Sequence, residues 1–223
     1  MRKATVVLLV LVTLSKVVNA AIVTWDGSAD TNWANSSNWD SFPVLPQAGD
    51  DIVIPNGCPR YPNSNGNLSY ASLTIQSGAS SPSLTLNQAM TLTGNSTIAG
   101  TLNTSTYAYS VGGNFAITGT ATLGGTTTVG GALTVSSGTL SFGTNSIDVS
   151  GSLSFTGGTV SGTGTITMKG SGVNLNLTVP DPGALVIDGS VTVTGAATTC
   201  VVGAVNINAT RSLNVGNYRF QTT

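Results

Sequence analysis

Eight aspartates are the only acidic residues in the 223-residue chain, which has no Glu and no His. Without histidine there is no Ser-His-Asp or Cys-His relay and no ordinary His zinc site. The chemistry still open to this inventory is carboxylate chemistry. Glycoside hydrolysis needs two carboxyl groups converging on one bond, and polysaccharide lyases on parallel β-helices use carboxylate clusters with Ca²⁺ and Lys or Arg. In the second half of the chain the candidates are Asp148, Asp181, Asp188, Lys169 and Arg211. Asp148 stands between Ile147 and Val149 and Asp188 follows Ile187, so both face outward, two coils apart at a period near 20 residues. That separation is about 10 Å of stacked sheet, too long for an acid/base pair. The reading is therefore a protein without catalytic residues.

Five further aspartates crowd the N-terminal part. Asp26, Asp30, Asp40, Asp50 and Asp51 supply oxygen ligands of the kind Ca²⁺ takes, and Asp26, Asp30, Asp50 and Asp51 are the candidates for it. No EF-hand or Gly-Gly-x-Gly-x-Asp repeat accompanies them, and Asx-turns account equally well for Asp beside Gly and Asn. No other cofactor is expected. A second kind of site lies in the Thr-x-Thr pairs, of which Thr118, Thr120, Thr126, Thr128, Thr165 and Thr167 are the binding candidates. Outward threonines stacked on a flat face could hold a glycan, a crystalline polysaccharide or ice, although Thr is also simply a good exposed strand former. The positions 93, 120, 128 and 165 share no coil phase, which argues against one regular ladder.

The element that positions these residues is a repeat. Val-Gly-Gly at 111 and 129 and Val-Ser-Gly at 149 each open a short alternating strand, in steps of 18 and 20 residues. Self-similarity at such a period predicts stacked coils, here an all-β, single-stranded parallel β-helix, pectin-lyase-like and right-handed. One inward register runs 115, 133, 153, 173, 191, 213 and another 147, 166, 185, 205, which places two strands in each coil. Val205/Ile207 and Leu213/Val215 are read as core with the rest. An antiparallel sandwich also has many short strands but no reason to keep a 20-residue phase. Paired glycines such as Gly112-Gly113, Gly130-Gly131 and Gly157-Gly158 read as corners of positive φ, and Asn103, Asn114 and Asn145 as corner ladders.

Thr and Ser number 34 and 26, so hydroxyls rather than charges carry solubility. Arg2 and Lys3, the apolar run Thr5 to Leu14 and the small residues Val18-Asn19-Ala20 form a signal peptide over 1–20, with an apolar run too short to span a membrane. The remainder carries four basic residues against eight aspartates, a formal charge of −4 without a basic patch, which argues against nucleic acid. Cys58 and Cys200 are compatible with an oxidising compartment, but several rungs of separation put them beyond disulfide reach. Cys200 reads as a small core residue and Cys58 as a turn residue.

Residues 21–70 hold all three Trp and five of the eight Pro and read as an N-terminal cap, with repeats over 71–223. Trp25-Asp26-Gly27, Asn32-Trp33, Asn38-Trp39, Pro46, Asp50-Asp51 and Ile54-Pro55, followed by Ser72-Leu-Thr-Ile, resemble a module recurring in large exported bacterial surface proteins. In those a W-x-G…W…NW…P…D-x-v-x-I-P segment precedes a Gly/Thr/Val-rich parallel β-helix. The resemblance implies a secreted or cell-surface, adhesin-like protein with a structural role, whose partners are glycans or other surface proteins. It departs from such proteins in ending at Thr223 without a sorting domain or translocator barrel. A last coil without a cap would offer a bare strand edge for head-to-tail association.

Overall fold

A computed structural model describes residues 20–65, 68–179, 181–194, 199–216 and 219–222. The signal-peptide segment lies outside them, as does the side chain of Cys200. Every pairing between named strands is parallel, and the chain forms a β-solenoid of about eight turns. The only helical turn among the described residues is the 3-10 segment Ser36–Asn38.

Six successive coils, from Asp51 to Met168, contribute three strands each and not the two expected, while the coils after Met168 contribute two among the described residues. Sheet 1 has ten strands, from Ile22–Thr24 through Phe115–Ile117 to Ser212–Asn214; sheet 2 has nine, from Leu68–Tyr70 through Thr127–Val129 to Arg219–Thr222. Sheet 3 has six, from Asn63–Ser64 through Thr120–Thr122 to Thr159–Gly162. Sheets 1 and 2 contain the two registers read from the sequence. Sheet 3 escaped because its strands mostly bury one residue each, as in Thr101–Asn103 and Thr120–Thr122, too little to show an apolar alternation.

The expected rows Ile147↔Ile166↔Leu185↔Val205 and Phe115↔Leu133↔Leu153 are present. Leu153 then pairs with Leu175 rather than Val173, because the seven-residue strand Ser171–Leu177 belongs to a coil two residues longer. Val173 aligns instead with Val191 of the next coil. In Val-Asn-Leu-Asn-Leu the alternation is identical in both registers, so the pattern could not separate them. Ile207 is also a correction. It is 50% exposed, while Val205, Leu213 and Val215 are half-buried, and no described strand covers Ile207 on its far side.

The core is a column of Leu, Ile, Val and Phe running through the coils, with Phe115, Phe142 and Phe155 fully enclosed. Its N-terminal end is closed by Trp25, Trp33 and Trp39, whose ring centroids lie 4.7 to 6.3 Å apart. Each indole N–H is satisfied: Trp25 donates to the Arg60 carbonyl, Trp39 to the Trp33 carbonyl and Trp33 to the Tyr70 hydroxyl. The same segment supplies two sheet strands, since Ile22–Thr24 and Asp51–Ile54 stack in register on Ser72–Ile75. The outer edge of the first strand is closed locally by the return at residues 38–40. Asp40 donates its N–H to the Thr24 carbonyl and accepts from the Thr24 N–H through its carboxylate. No helix among the described residues is long and apolar enough to cross a membrane.

The paired glycines have a different cause from the one expected. Of Gly112, Gly113, Gly130, Gly131, Gly157 and Gly158, only Gly158 has positive φ. At Gly112 and Gly130 an added Cβ would run into the carbonyl oxygen of Thr93 and of Gly112, one coil away. Those glycines permit coils to touch backbone to backbone.

Candidate functional site

Two places gather side chains able to do chemistry or bind. The first is the corner that follows sheet 2. Lys169 and Asp188 occupy the position after Met168 and Ile187, which pair in register, so they stack on successive coils. Asp148 aligns with Thr167, one coil before the level of Asp188's neighbour Val186, which makes the two aspartates two coils apart as expected. Lys169 Nζ lies 2.6 Å from Asp148 Oδ2, and Arg211 Nε lies 3.4 Å from Asp188 Oδ1. Asn208 also donates to Asp188, and with the nearby cations it holds that carboxyl below its ordinary value. The four charged groups thus form an alternating column on exposed surface. A carboxyl held in its ionised form is poorly suited to donate a proton as a general acid.

The second place is a concavity of about 420 Å³ on sheet 1, lined by Asp51, Ser72, Thr74, Thr93, Asn95 and Thr97 together with Ala71, Leu73 and Gly94. Thr74 and Thr97 are adjacent in one outward row. Thr93 and Asn95 project from the corner beside them, and Ala71 and Gly94 leave the space between. Asp51 accepts a hydrogen bond from the Ser72 hydroxyl. Asn95 accepts the Asn114 N–H through Oδ1. Asn114 in turn accepts the Ala132 N–H, so one corner ladder does exist, built by Asn95 and Asn114. Asn103 is spent locally on the Ser105 N–H, while Asn145 donates to the nearby Phe142 carbonyl and, one coil back, to the Leu123 carbonyl.

The chain's candidates for calcium are engaged separately. Asp26 accepts from the Ser28 N–H, and Asp50 from the Ala21 and Gln47 N–H groups. Asp30 accepts from Asn35, Asn32 and Asn38, which lower its pKa in that order. Among the described residues no three His, Cys, Asp or Glu side chains come together. Cys58 is a free thiol donating to the Trp25 carbonyl, and burial pushes its pKa up.

The six threonine candidates are scattered. Thr118 and Thr126 are exposed at corners, Thr120 belongs to sheet 3, and Thr128, Thr165 and Thr167 belong to sheet 2. Thr128 and Thr167 share a row, but Asp148 stands between them. Positions 93, 120, 128 and 165 form no common row, but a regular row that the Thr-x-Thr pairs did not reveal exists in sheet 3, where Thr101, Thr120, Thr139 and Thr159 are in direct register. Their sequence steps of 19, 19 and 20 residues carried that signal, but it is visible only once Thr120 is compared with non-Thr-x-Thr strands. Comparison with family models, curated proteins and solved structures returned no match.

Proposed function

We propose that this chain is a non-catalytic, exported β-solenoid with a structural or adhesive role at the cell surface, and that it holds glycans on its outward Thr, Ser and Asn side chains. The observation that carries the reading is the sheet 1 concavity. Its volume is within the range of small-ligand sites, about 300–1,000 Å³. Its lining offers hydroxyls, one amide and one carboxylate, the groups that match a sugar's hydroxyls as both donors and acceptors. Thr74, Thr93 and Thr97 make no side-chain hydrogen bond to the described protein, so a ligand displaces water and not a protein contact. The export half of the reading rests on the N-terminal basic and apolar segment and on the Trp-rich resemblance. The pairing of Asp148 with Lys169 and of Asp188 with Arg211 supports the non-catalytic half.

The test is retention of the purified chain on a panel of insoluble polysaccharides. Thr74→Ala and Thr97→Ala together should lower retention at least tenfold while leaving the thermal transition in place, since neither side chain is hydrogen-bonded to the described protein. Retention that is absent across the panel, or unchanged in the double variant, removes the cleft as a glycan site. New reducing or unsaturated ends in the supernatant would favour a polysaccharide-cleaving enzyme instead.

A further inference from the structure

Sheet 3 differs from the other two in a way that bears on a second activity. Strands of sheets 1 and 2 mostly run in-out-in, exposing one residue each, as in Phe115–Ile117 and Tyr109–Val111. Strands of sheet 3 run out-in-out and turn two residues outward, most of them half-buried between neighbouring rungs, giving five consecutive rungs: Ser83/Thr85, Thr101/Asn103, Thr120/Thr122, Thr139/Ser141 and Thr159/Ser161. Between each pair is one buried residue: Leu84, Leu102, Ala121, Leu140 or Val160. The pairs stack in strict register, forming one row through Ser83, Thr101, Thr120, Thr139 and Thr159 and a second through Thr85, Asn103, Thr122, Ser141 and Ser161.

None of these ten side chains is charged. Asn103 accepts the Ser105 N–H and Ser161 makes a long contact of 3.5 Å to the Leu140 carbonyl. The other eight hydroxyls have no side-chain hydrogen bond to the described protein. Elsewhere the outward hydroxyl rows are interrupted or self-satisfied. Thr128 donates to Ser110 in sheet 2, and Asp148 with its Lys169 partner breaks the same row. In sheet 1, Ala116 and Val53 interrupt the outward row.

The repeat of this array is set by backbone, about 4.8 Å between rungs and about 6.6 Å between residues two apart on a strand. Five rungs cover roughly 19 Å along the stack at that spacing. Threonine is stiff at χ1, so its hydroxyl and methyl are held in place before any partner arrives, and little ordering entropy remains to oppose binding. An uncharged, in-register lattice of mostly unpartnered hydroxyls and methyls is complementary to another regular lattice of hydrogen-bonding oxygens. Water itself forms such a lattice of hydrogen-bonding oxygens in ice. A crystalline glycan would be gripped chiefly through the faces of its sugar rings, and the array has no aromatic side chain to stack on them.

We infer that sheet 3 is an ice-binding face, with Thr101, Thr120, Thr139 and Thr159 as its central row. This activity is separate from the glycan reading, which uses sheet 1, and either can fail alone. The experiment is thermal hysteresis and ice-crystal shaping by the full chain, set beside Thr120→Tyr, Thr139→Tyr and a control, Thr134→Tyr, on sheet 1. Hysteresis that rises with concentration, falls at least fivefold in Thr120→Tyr and Thr139→Tyr, and persists in Thr134→Tyr supports the inference. Far-ultraviolet circular dichroism and melting of each variant identify any loss that comes from misfolding; for a variant that does not fold, Thr120→Lys replaces it. Hysteresis no greater than a buffer control, or equal in wild type and folded face variants, overturns it. Loss of polysaccharide retention in Thr120→Tyr without any ice activity also overturns it, and makes sheet 3 a glycan face.

Discussion

Asp30 shows how the N-terminal segment is held by single residues. Its carboxylate accepts the Asn32 N–H and the Asn38 side-chain amide at 2.7 Å each, and the Asn35 side-chain amide at 2.9 Å. Asn38, fully buried, returns its own oxygen to the Ala29 and Asp30 N–H groups. These bonds favour the ionised carboxyl and lower its pKa. The stability it contributes is therefore present above the unfolded-state value, about pH 4, and is lost as pH falls through the lowered native value. Asp30→Ala should lower the melting temperature by a few degrees at about pH 7, and the gap to wild type should close at about pH 2. An equal gap at both pH values would contradict this account of Asp30. The Asp148–Lys169 pair should behave differently, since both side chains are solvent-facing and such pairs contribute about 0–1 kcal/mol. Lys169→Met is expected to shift the melting temperature by no more than a degree or two, an effect that shrinks further in high salt. The outward placement of Asp148 and Asp188 was legible in their neighbours Ile147 and Ile187. Their ion pairing was not, because it depends on which coil each cation stacks upon.

At the scale of the strand and its corner, the coils are joined and spaced by backbone hydrogen bonds and held together further by the buried column. Phe155 is fully enclosed between coils, and Phe155→Ala should cost about 3–5 kcal/mol, read from denaturant unfolding. Gly130 makes a sharper claim, because its φ is not in the left-handed region and the constraint is the neighbouring Gly112 carbonyl. Gly130→Ala should therefore destabilise as strongly as a core truncation, by about 2 kcal/mol or more. A cost within about 0.5 kcal/mol, the ordinary range for exposed substitutions, would mean the coils can part without penalty there. Sheets 1 and 2 were readable because most of their strands bury apolar pairs at i and i+2. Sheet 3 was hidden by the opposite phase: its outward pairs are polar, and apart from Ser83–Leu86 and Thr139–Gly143 its strands bury a single residue. The feature that hid it from hydrophobic pattern is the one that gives it a two-row hydroxyl face.

The whole molecule is a quasi-linear stack with a closed N-terminal end. Three indoles fill the core there, and the Asp40 return occupies the backbone edge of Ile22–Thr24. The period near 20 was enough to predict the stack, while the site on sheet 1 was not predictable, since its lining comes from three coils and two corner residues. The account holds that this stack binds and does not cut. The most direct measurement incubates the chain with insoluble polysaccharides and assays, in the same tubes, protein retained on the solid and sugar released into solution. Retention on at least one polysaccharide, reduced by Thr74→Ala with Thr97→Ala and accompanied by no new reducing or unsaturated ends, is the predicted result. Released sugar that rises with time, and falls when Asp148 or Asp188 is replaced by Asn, would contradict it.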